Sequence, residues 1–344
     1  AVDVKLVKKG QPAPGNTNIP FKLNLSLNYQ AHVSNIGWMS NLTNGSIAGT
    51  TGRNLSLEAL RLNLSTKGLG DVLSRAHVRS IGWQNWIESS NQIGTTGRSL
   101  PIEALQFKLT NKLEQNFDIF YRAHIQNVGW LGWAKNGEIA GSTGMGYHLE
   151  AVEIKMISKG SPTPSQGTRT FVSQSSIKSQ AVVSQLGVLN WVGNNQIIGT
   201  VGKNLPLLGF KTVVENNGFN GGINYSVSEN GKDWHSAVSN GDLSNNSTIQ
   251  IVKLNLTGEV SKYFDVYYRA HVQNIGWLSW AKNGEFAGTS NYNYHIEALQ
   301  VAIQRKNLGF GGYNGQGSYR DKNLRKVIFI DPGHGGEDPG SHTD

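Results

Sequence analysis

Residues 121–141 read YRAHIQNVGWLGWAKNGEIAG, and residues 268–288 read YRAHVQNIGWLSWAKNGEFAG. Two weaker copies start at Tyr29 (YQAHVSNIGWMSNLTNGSIAG) and Ser74 (SRAHVRSIGWQNWIESSNQIG). Two degenerate ones start at Ser179 (SQAVVSQLGVLNWVGNNQIIG) and Tyr225 (YSVSENGKDWHSAVSNG). Self-similarity of this kind marks a repeat architecture in which each copy is one supersecondary unit. Within the copy, Ile119, Tyr121, Ala123 and Ile125 alternate with polar neighbours, the period of a strand buried on one face. Asn136-Gly137 then predicts a hairpin turn, since both residue types accept positive φ. The same dipeptide recurs as Asn44-Gly45, Asn240-Gly241 and Asn283-Gly284. Gly-Thr-Thr-Gly at 49–52 and 94–97 marks a second turn, followed by strands such as LEALRLNL from Leu57.

That gives about four strands per repeat of about 46 residues, and three repeats per module. The expected fold class is therefore all-β, with two pseudo-threefold modules, β-trefoil or β-prism-like. The clear central hairpin favours the trefoil. The longest interval between repeats contains KGSPTPSQGT (159–168), which reads as a linker and groups the six copies as three plus three. AVDVKLVKKGQPAP (1–14) matches AVEIKMISKGSPTP (151–164), so residues 1–20 read as the tail of a further module upstream and its linker. The expected boundaries are 21–158 for the first module, 159–176 for a linker and 177–306 for the second module. Residues 307–324, rich in glycine, are expected to be a flexible linker, and 325–344 the start of another domain.

Composition narrows the function classes. A chain of 344 residues suits two domains at roughly 150 residues each. Zero cysteine excludes a disulfide scaffold, a thiol nucleophile and a Cys-ligated metal site. A charged fraction of 16% with 9% aromatics points to packed structure. No apolar run is long enough to span a membrane. The formal charge of +8 favours anionic partners. Lys and Arg are not clustered, which argues against nucleic acid.

All nine tryptophans fall in two alignment columns. The first holds Trp38, Trp83, Trp130, Val188, Trp234 and Trp277; the second holds Asn41, Trp86, Trp133, Trp191, Ala237 and Trp280. The first column reads as core packing, since one large aromatic per repeat can fill a threefold core. The second varies more, as a rim beside a ligand groove would. The alternative for both is stacking on the apolar face of a sugar. Candidate ligand-binding residues are thus Trp38, Trp83, Trp86, Trp130, Trp133, Trp191, Trp277 and Trp280, with His124 and His271. A His column (His32, His77, His124, His271) runs beside a Glu column (Glu58, Glu103, Glu150, Glu297), which predicts a structural pair or a polar ligand contact. Both are lost in the fourth repeat. Arg75, Arg122 and Arg269 precede the histidines and could pair with phosphate or carboxylate, or simply be solvated.

The Gly-Trp-x-x-Trp unit between Tyr-Arg-Ala-His and Leu-Glu-Ala resembles the clostridial hydrophobic repeat with conserved tryptophan, the ChW repeat, over about residues 25–306. The resemblance implies a secreted protein of a Gram-positive clostridium or its phage, acting on or bound to the cell wall. Beyond the glycine-rich stretch, KVIFIDPGHGGEDPG (326–340) is similar to the opening of the zinc-dependent N-acetylmuramoyl-L-alanine amidases, on an α/β domain of which only a stub is present. That resemblance implies that His334 is the first ligand of a zinc ion. The family's remaining ligands and its general base lie beyond Asp344, so this chain alone is expected to be inactive. Zinc chemistry needs three protein ligands and an open position for a water whose pKa falls to about 7.

The expected function is cell-wall targeting for a secreted autolysin or endolysin that hydrolyses the N-acetylmuramoyl–L-alanine amide bond. Peptidoglycan or an anionic wall polymer would be the partner, bound with avidity from several modules. A non-catalytic adhesion or structural surface protein is the alternative, as is the carbohydrate-binding region of another secreted hydrolase.

Overall fold

The computed structural model describes residues 9, 25–65, 68–165, 167, 169–215 and 218–324. They divide into two compact units, 1–170 and 171–344. Both are almost entirely β, with two one-turn helices, Asn111–Asn116 and Val260–Tyr263.

In the first unit each repeat opens on a long strand: Leu27–Val33, Val72–Val78 and Phe117–Ile125. The alternating apolar residues of these strands face inward. Each strand folds back on a two-residue return strand, Gly37–Trp38, Gly82–Trp83 and Gly129–Trp130. Its other edge pairs antiparallel with a second long strand: Leu57–Leu64, Ile102–Leu109 and Leu149–Ser158. Between the two lies a short strand that leaves its own repeat. Ile47–Gly49 adds to Leu149–Ser158, Gln92–Gly94 to Leu57–Leu64 and Ala140–Thr143 to Ile102–Leu109. The three repeats thus lend strands around a closed ring, which is the source of the pseudo-threefold symmetry. Each sheet stays separate, and among the described residues none closes into a barrel. The trefoil expectation is therefore corrected: the hairpins pair with their own repeat instead of capping a shared barrel, and the arrangement is prism-like.

One glycine in each repeat that lends a short strand makes the exchange possible. Gly141 has φ +132, and a Cβ there would lie 2.4 Å from the Glu103 carbonyl oxygen and 2.6 Å from Ala104 Cα. Only a residue without Cβ fits so close a crossing. Gly49, Gly94, Gly199 and Gly288 sit the same way.

The second unit repeats the plan. Its long strands are Ser176–Val183, Gly221–Ser228 and Phe264–Val272, paired with Leu207–Glu215, Ile251–Gly258 and Ile296–Arg305. Ile197–Gly199 adds to Ile296–Arg305, and Ala287–Ser290 to Ile251–Gly258. The fifth repeat lends no regular strand, but Gly241 N–H donates to Thr212 O (2.8 Å) and Ser244 N–H to Phe210 O (3.0 Å), closing the ring in the same order.

The core is built on tyrosine. Tyr29, Tyr121, Tyr225 and Tyr268 are fully buried. Each hydroxyl donates to a carbonyl just past its hairpin turn: Ser46, Glu138, Asp242 and Glu285 respectively. Tyr29 also accepts from Ile154 N–H (3.3 Å), and Tyr225 from Thr212 N–H (3.2 Å), so these hydroxyls tie neighbouring repeats together.

Each unit ends in a strap that returns to its third repeat. Gly132 and Gly141 N–H donate to Arg169 O (2.6 Å) and Thr170 O (3.1 Å). At the equivalent places, Ser279 and Gly288 N–H donate to Gly317 O (3.2 Å) and Ser318 O (3.0 Å). The glycine-rich stretch after Lys306 is thus packed, which corrects its reading as a flexible linker. Phe310 stacks on Tyr267 at 4.3 Å and meets Trp280 edge-on at 4.8 Å. Tyr319–Asp321 then runs parallel to Ala287–Ser290. The glycines let the backbone lie against these rings: a Cβ on Gly312 would come within 3.2 Å of Trp280. Residues 1–20, apart from Lys9, expected to be the tail of an upstream module and its linker, and the stub at 325–344 lie outside the described residues.

Candidate functional site

The site grows from a register shift. In the first repeat His32 pairs with Ala59 but Val33 pairs with Leu57, leaving Glu58 as the extra residue of a β-bulge. Glu103, Glu150 and Glu297 are bulged in the same way. The bulge turns the carboxylate onto the histidine across the strand. Nδ1 lies 3.2 Å from the carboxylate in His32–Glu58, 3.3 Å in His77–Glu103, 3.0 Å in His124–Glu150 and 2.9 Å in His271–Glu297. The approach is oblique, and Nδ1 makes no aligned hydrogen bond. These glutamates are only 4–7% exposed. The predicted pairing of the two columns is therefore present. In the fourth repeat the bulge survives with Leu208 beside Val182, so the site there is apolar. The fifth repeat has no bulge.

Each of these histidines meets the first-column tryptophan edge-on, at 5.4 Å for His32–Trp38, His77–Trp83 and His124–Trp130 and 5.2 Å for His271–Trp277. The first column does not fill the core, contrary to expectation. Trp38, Trp83, Trp130, Trp234 and Trp277 are all half-buried. Trp38, Trp83, Trp130 and Trp277 sit on the return strands, and Trp234 on an isolated bridge to Ser228, outside the long strands whose inward face the tyrosines occupy. The second column splits. Trp86 is half-buried and Trp191 is 42% exposed, while Trp133 and Trp280 are only 6% exposed, the last covered by Phe310 of its strap.

Cations cover the rings. Arg61 lies over Trp38 at 4.1 Å. Arg75 is shared by Trp83 (4.8 Å) and Trp86 (4.7 Å), Arg122 by Trp130 (4.5 Å) and Trp133 (4.8 Å), and Arg269 by Trp277 (4.7 Å) and Trp280 (4.8 Å). Lys108 (4.5 Å), Lys155 (4.7 Å), Lys178 (5.8 Å) and Lys253 (4.3 Å) lie over Trp86, Trp133, Trp191 and Trp234. Cation–π contacts of this kind contribute about 0.5–1 kcal/mol each at exposed sites. The lysines and Arg61 were not among the sequence candidates. For Arg61, Lys108, Lys155 and Lys253 the signal lies in the second long strand, three or five residues past the Glu column, whereas Lys178 stands on the opening strand of its repeat.

A cleft of about 480 Å³ opens beside this cluster, between the turn of the first repeat (Gly52, Asn54) and His124, Gln126 and Glu150 of the third. Gln126 Nε2 donates to Asn54 Oδ1 (2.6 Å) across it. Gln273 donates to Asn204 (2.7 Å) at the matching place in the second unit. Nearby, His148 and His295 are pushed down in pKa by burial. Among the described residues, no group of three or more His, Asp or Glu could hold a metal ion, and His334 lies outside them.

Four stretches match the family described as Clostridial hydrophobic W (ChW): residues 32–66, 77–111, 124–157 and 271–305. The chain therefore contains four ChW repeats, a module often found in surface or cell-wall associated proteins. They are the four copies that carry the His–Glu pair on a bulge. No curated protein and no solved structure is significantly similar to the chain. No helix among the described residues is long and apolar enough to cross a membrane.

Proposed function

We propose that this chain is the wall-binding region of a secreted autolysin or endolysin. It would hold the enzyme on peptidoglycan or an anionic wall polymer while a following domain cuts the N-acetylmuramoyl–L-alanine amide bond. The observation that carries the binding role is the recurrence, in all four ChW repeats, of a solvent-reaching Trp–Arg cluster on a His–Glu pair whose carboxylate is buried. A cluster kept in copy after copy, with its cation half-exposed, suits a ligand that is itself repetitive. Several weak contacts on one chain then add up through high effective concentration.

The amidase reading rests on KVIFIDPGHGGEDPG at 326–340, with His334 as the proposed first zinc ligand. The described residues offer no metal cluster, so no catalytic step is assigned to them. Their part is to bind and to position.

The test is co-sedimentation of the chain with purified clostridial sacculi, with cellulose as the comparison particle. Saturable binding to sacculi and none to cellulose is expected. A folded chain that stays in the supernatant with both would point to a structural surface protein. Equal binding to cellulose would point to the carbohydrate-binding region of another secreted hydrolase.

A further inference from the structure

The strand register places one cross-strand pair at the same position in all six repeats: Gln30/Arg61, Arg75/Gln106, Arg122/Glu153, Gln180/Lys211, Ser226/Lys253 and Arg269/Gln300. Every pair holds one cation. Only in the third repeat is the other member an acid. There Glu153 binds both Arg122 (2.7 Å) and Lys155 (2.8 Å). Elsewhere the partner is neutral, and among the described residues Arg61, Arg75, Lys253 and Arg269 form no salt bridge. The second repeat goes furthest. Arg75 and Lys108 both lie over Trp86, at 4.7 and 4.5 Å, with no carboxylate paired to either among the described residues. Among the described residues Arg75 bonds only through Nε, to Gln106 Oε1 (2.7 Å). Arg269 does the same with Gln300 (2.7 Å). The guanidinium carries five N–H donors in a planar fork, so the four on its Nη atoms are left over.

We infer that the second repeat is an oxyanion site, formed by Arg75 and Lys108 around Trp86, and that the single unpaired cations of the first, fifth and sixth repeats are further contacts of the same kind for a polyanion. The stacked indoles hold the guanidinium plane fixed, and Gln106 fixes its roll. Its free Nη edge matches the two oxygens of a phosphodiester or a carboxylate in the bidentate geometry that arginine favours. Half-burial without a counter-ion leaves Arg75, Lys108, Lys253 and Arg269 poorly solvated, and at Arg269 burial lowers the pKa of the guanidinium. A bound oxyanion supplies the missing charge. The third repeat is the internal contrast, because Glu153 already fills that role. The tryptophans then serve as supports for cations, not as open sugar platforms. This inference rests on the wall-binding reading and names its ligand class.

The experiment titrates the whole chain with poly(glycerol phosphate) and, separately, with polyglucuronate, following tryptophan fluorescence at several salt concentrations. Binding that weakens with salt is expected for at least one polymer, and the polymer bound names the oxyanion as phosphodiester or carboxylate. Arg75→Gln should weaken it about tenfold, the size of one lost charge-assisted contact. Lys112→Gln, which removes the same charge from the exposed helix turn, should leave it unchanged. Glu153→Gln frees Arg122 and Lys155 and should tighten binding several-fold. Binding of neither polymer overturns the inference. So do equal losses from Arg75→Gln and Lys112→Gln, or a folded Glu153→Gln chain with unaltered affinity. If sacculi still bind the Arg75→Gln chain with full affinity, this inference falls and the wall-binding reading stands.

Discussion

At the residue scale, the tyrosine hydroxyls fix the core. Tyr29 joins the turn carbonyl of Ser46 to the Ile154 N–H of another repeat, so one phenol bridges two repeats. Burial pushes the phenols of Tyr29 and Tyr225 up to about 12, and raises those of Tyr121 and Tyr268 as well. The folded state therefore holds its protons where an unfolded chain, with phenols near 10, has begun to release them. The stability this contributes is complete below about pH 10 and is lost as pH rises toward the folded value. Urea midpoints should accordingly fall between pH 9 and pH 11.5. Tyr29→Phe should cost about 1 kcal/mol at pH 8 and show a smaller alkaline fall. An equal alkaline fall in wild type and variant would contradict this account. The tyrosine was legible in the strand alternation with Ile119, Ala123 and Ile125, though its rank as the core aromatic was not. Tryptophan took that place in the sequence reading because it is larger, but it stands on the return strand, where a big ring finds cations and not a core.

At the scale of elements, the lent short strand and the strap matter most. The strand's crossing depends on a glycine without Cβ. Gly141→Ala would drive a methyl into the Glu103 carbonyl and should destabilise the first unit by about 1–3 kcal/mol, read as a lower urea midpoint. A neutral result would mean the crossing is looser than described. The strap predicts a local change: Phe310→Ala uncovers Trp280 and Tyr267, so tryptophan emission should shift to the red with a loss of about 1–2 kcal/mol. No shift would show that Trp280 is shielded by something else. Strand period, the Asn136-Gly137 turn and the threefold count could be read from the chain. The bulge could not, because register belongs to two strands and leaves no mark on the pattern of either. The strap was missed for a related reason: glycine reads as freedom, whereas here it grants close approach to aromatic faces.

At the scale of the molecule, two units each close a ring of three repeats, and six copies of one cross-strand pair each present one cation. Degeneracy is uneven. The fourth repeat replaces His and Glu with Val182 and Leu208 and keeps its fold, so the ring tolerates the loss of the polar site. That repeat also carries Ser179 in place of the tyrosine but keeps the close-packed Gly199, which separates folding, served by the strand pairing and the glycine, from binding, which needs the cations. The most direct measurement of the binding claim is co-sedimentation of the whole chain with clostridial sacculi before and after acid extraction of their wall polymers. The account predicts binding before extraction and its loss afterwards. Undiminished binding to the extracted glycan would contradict the oxyanion claim, and a folded chain bound to neither preparation would contradict wall binding altogether.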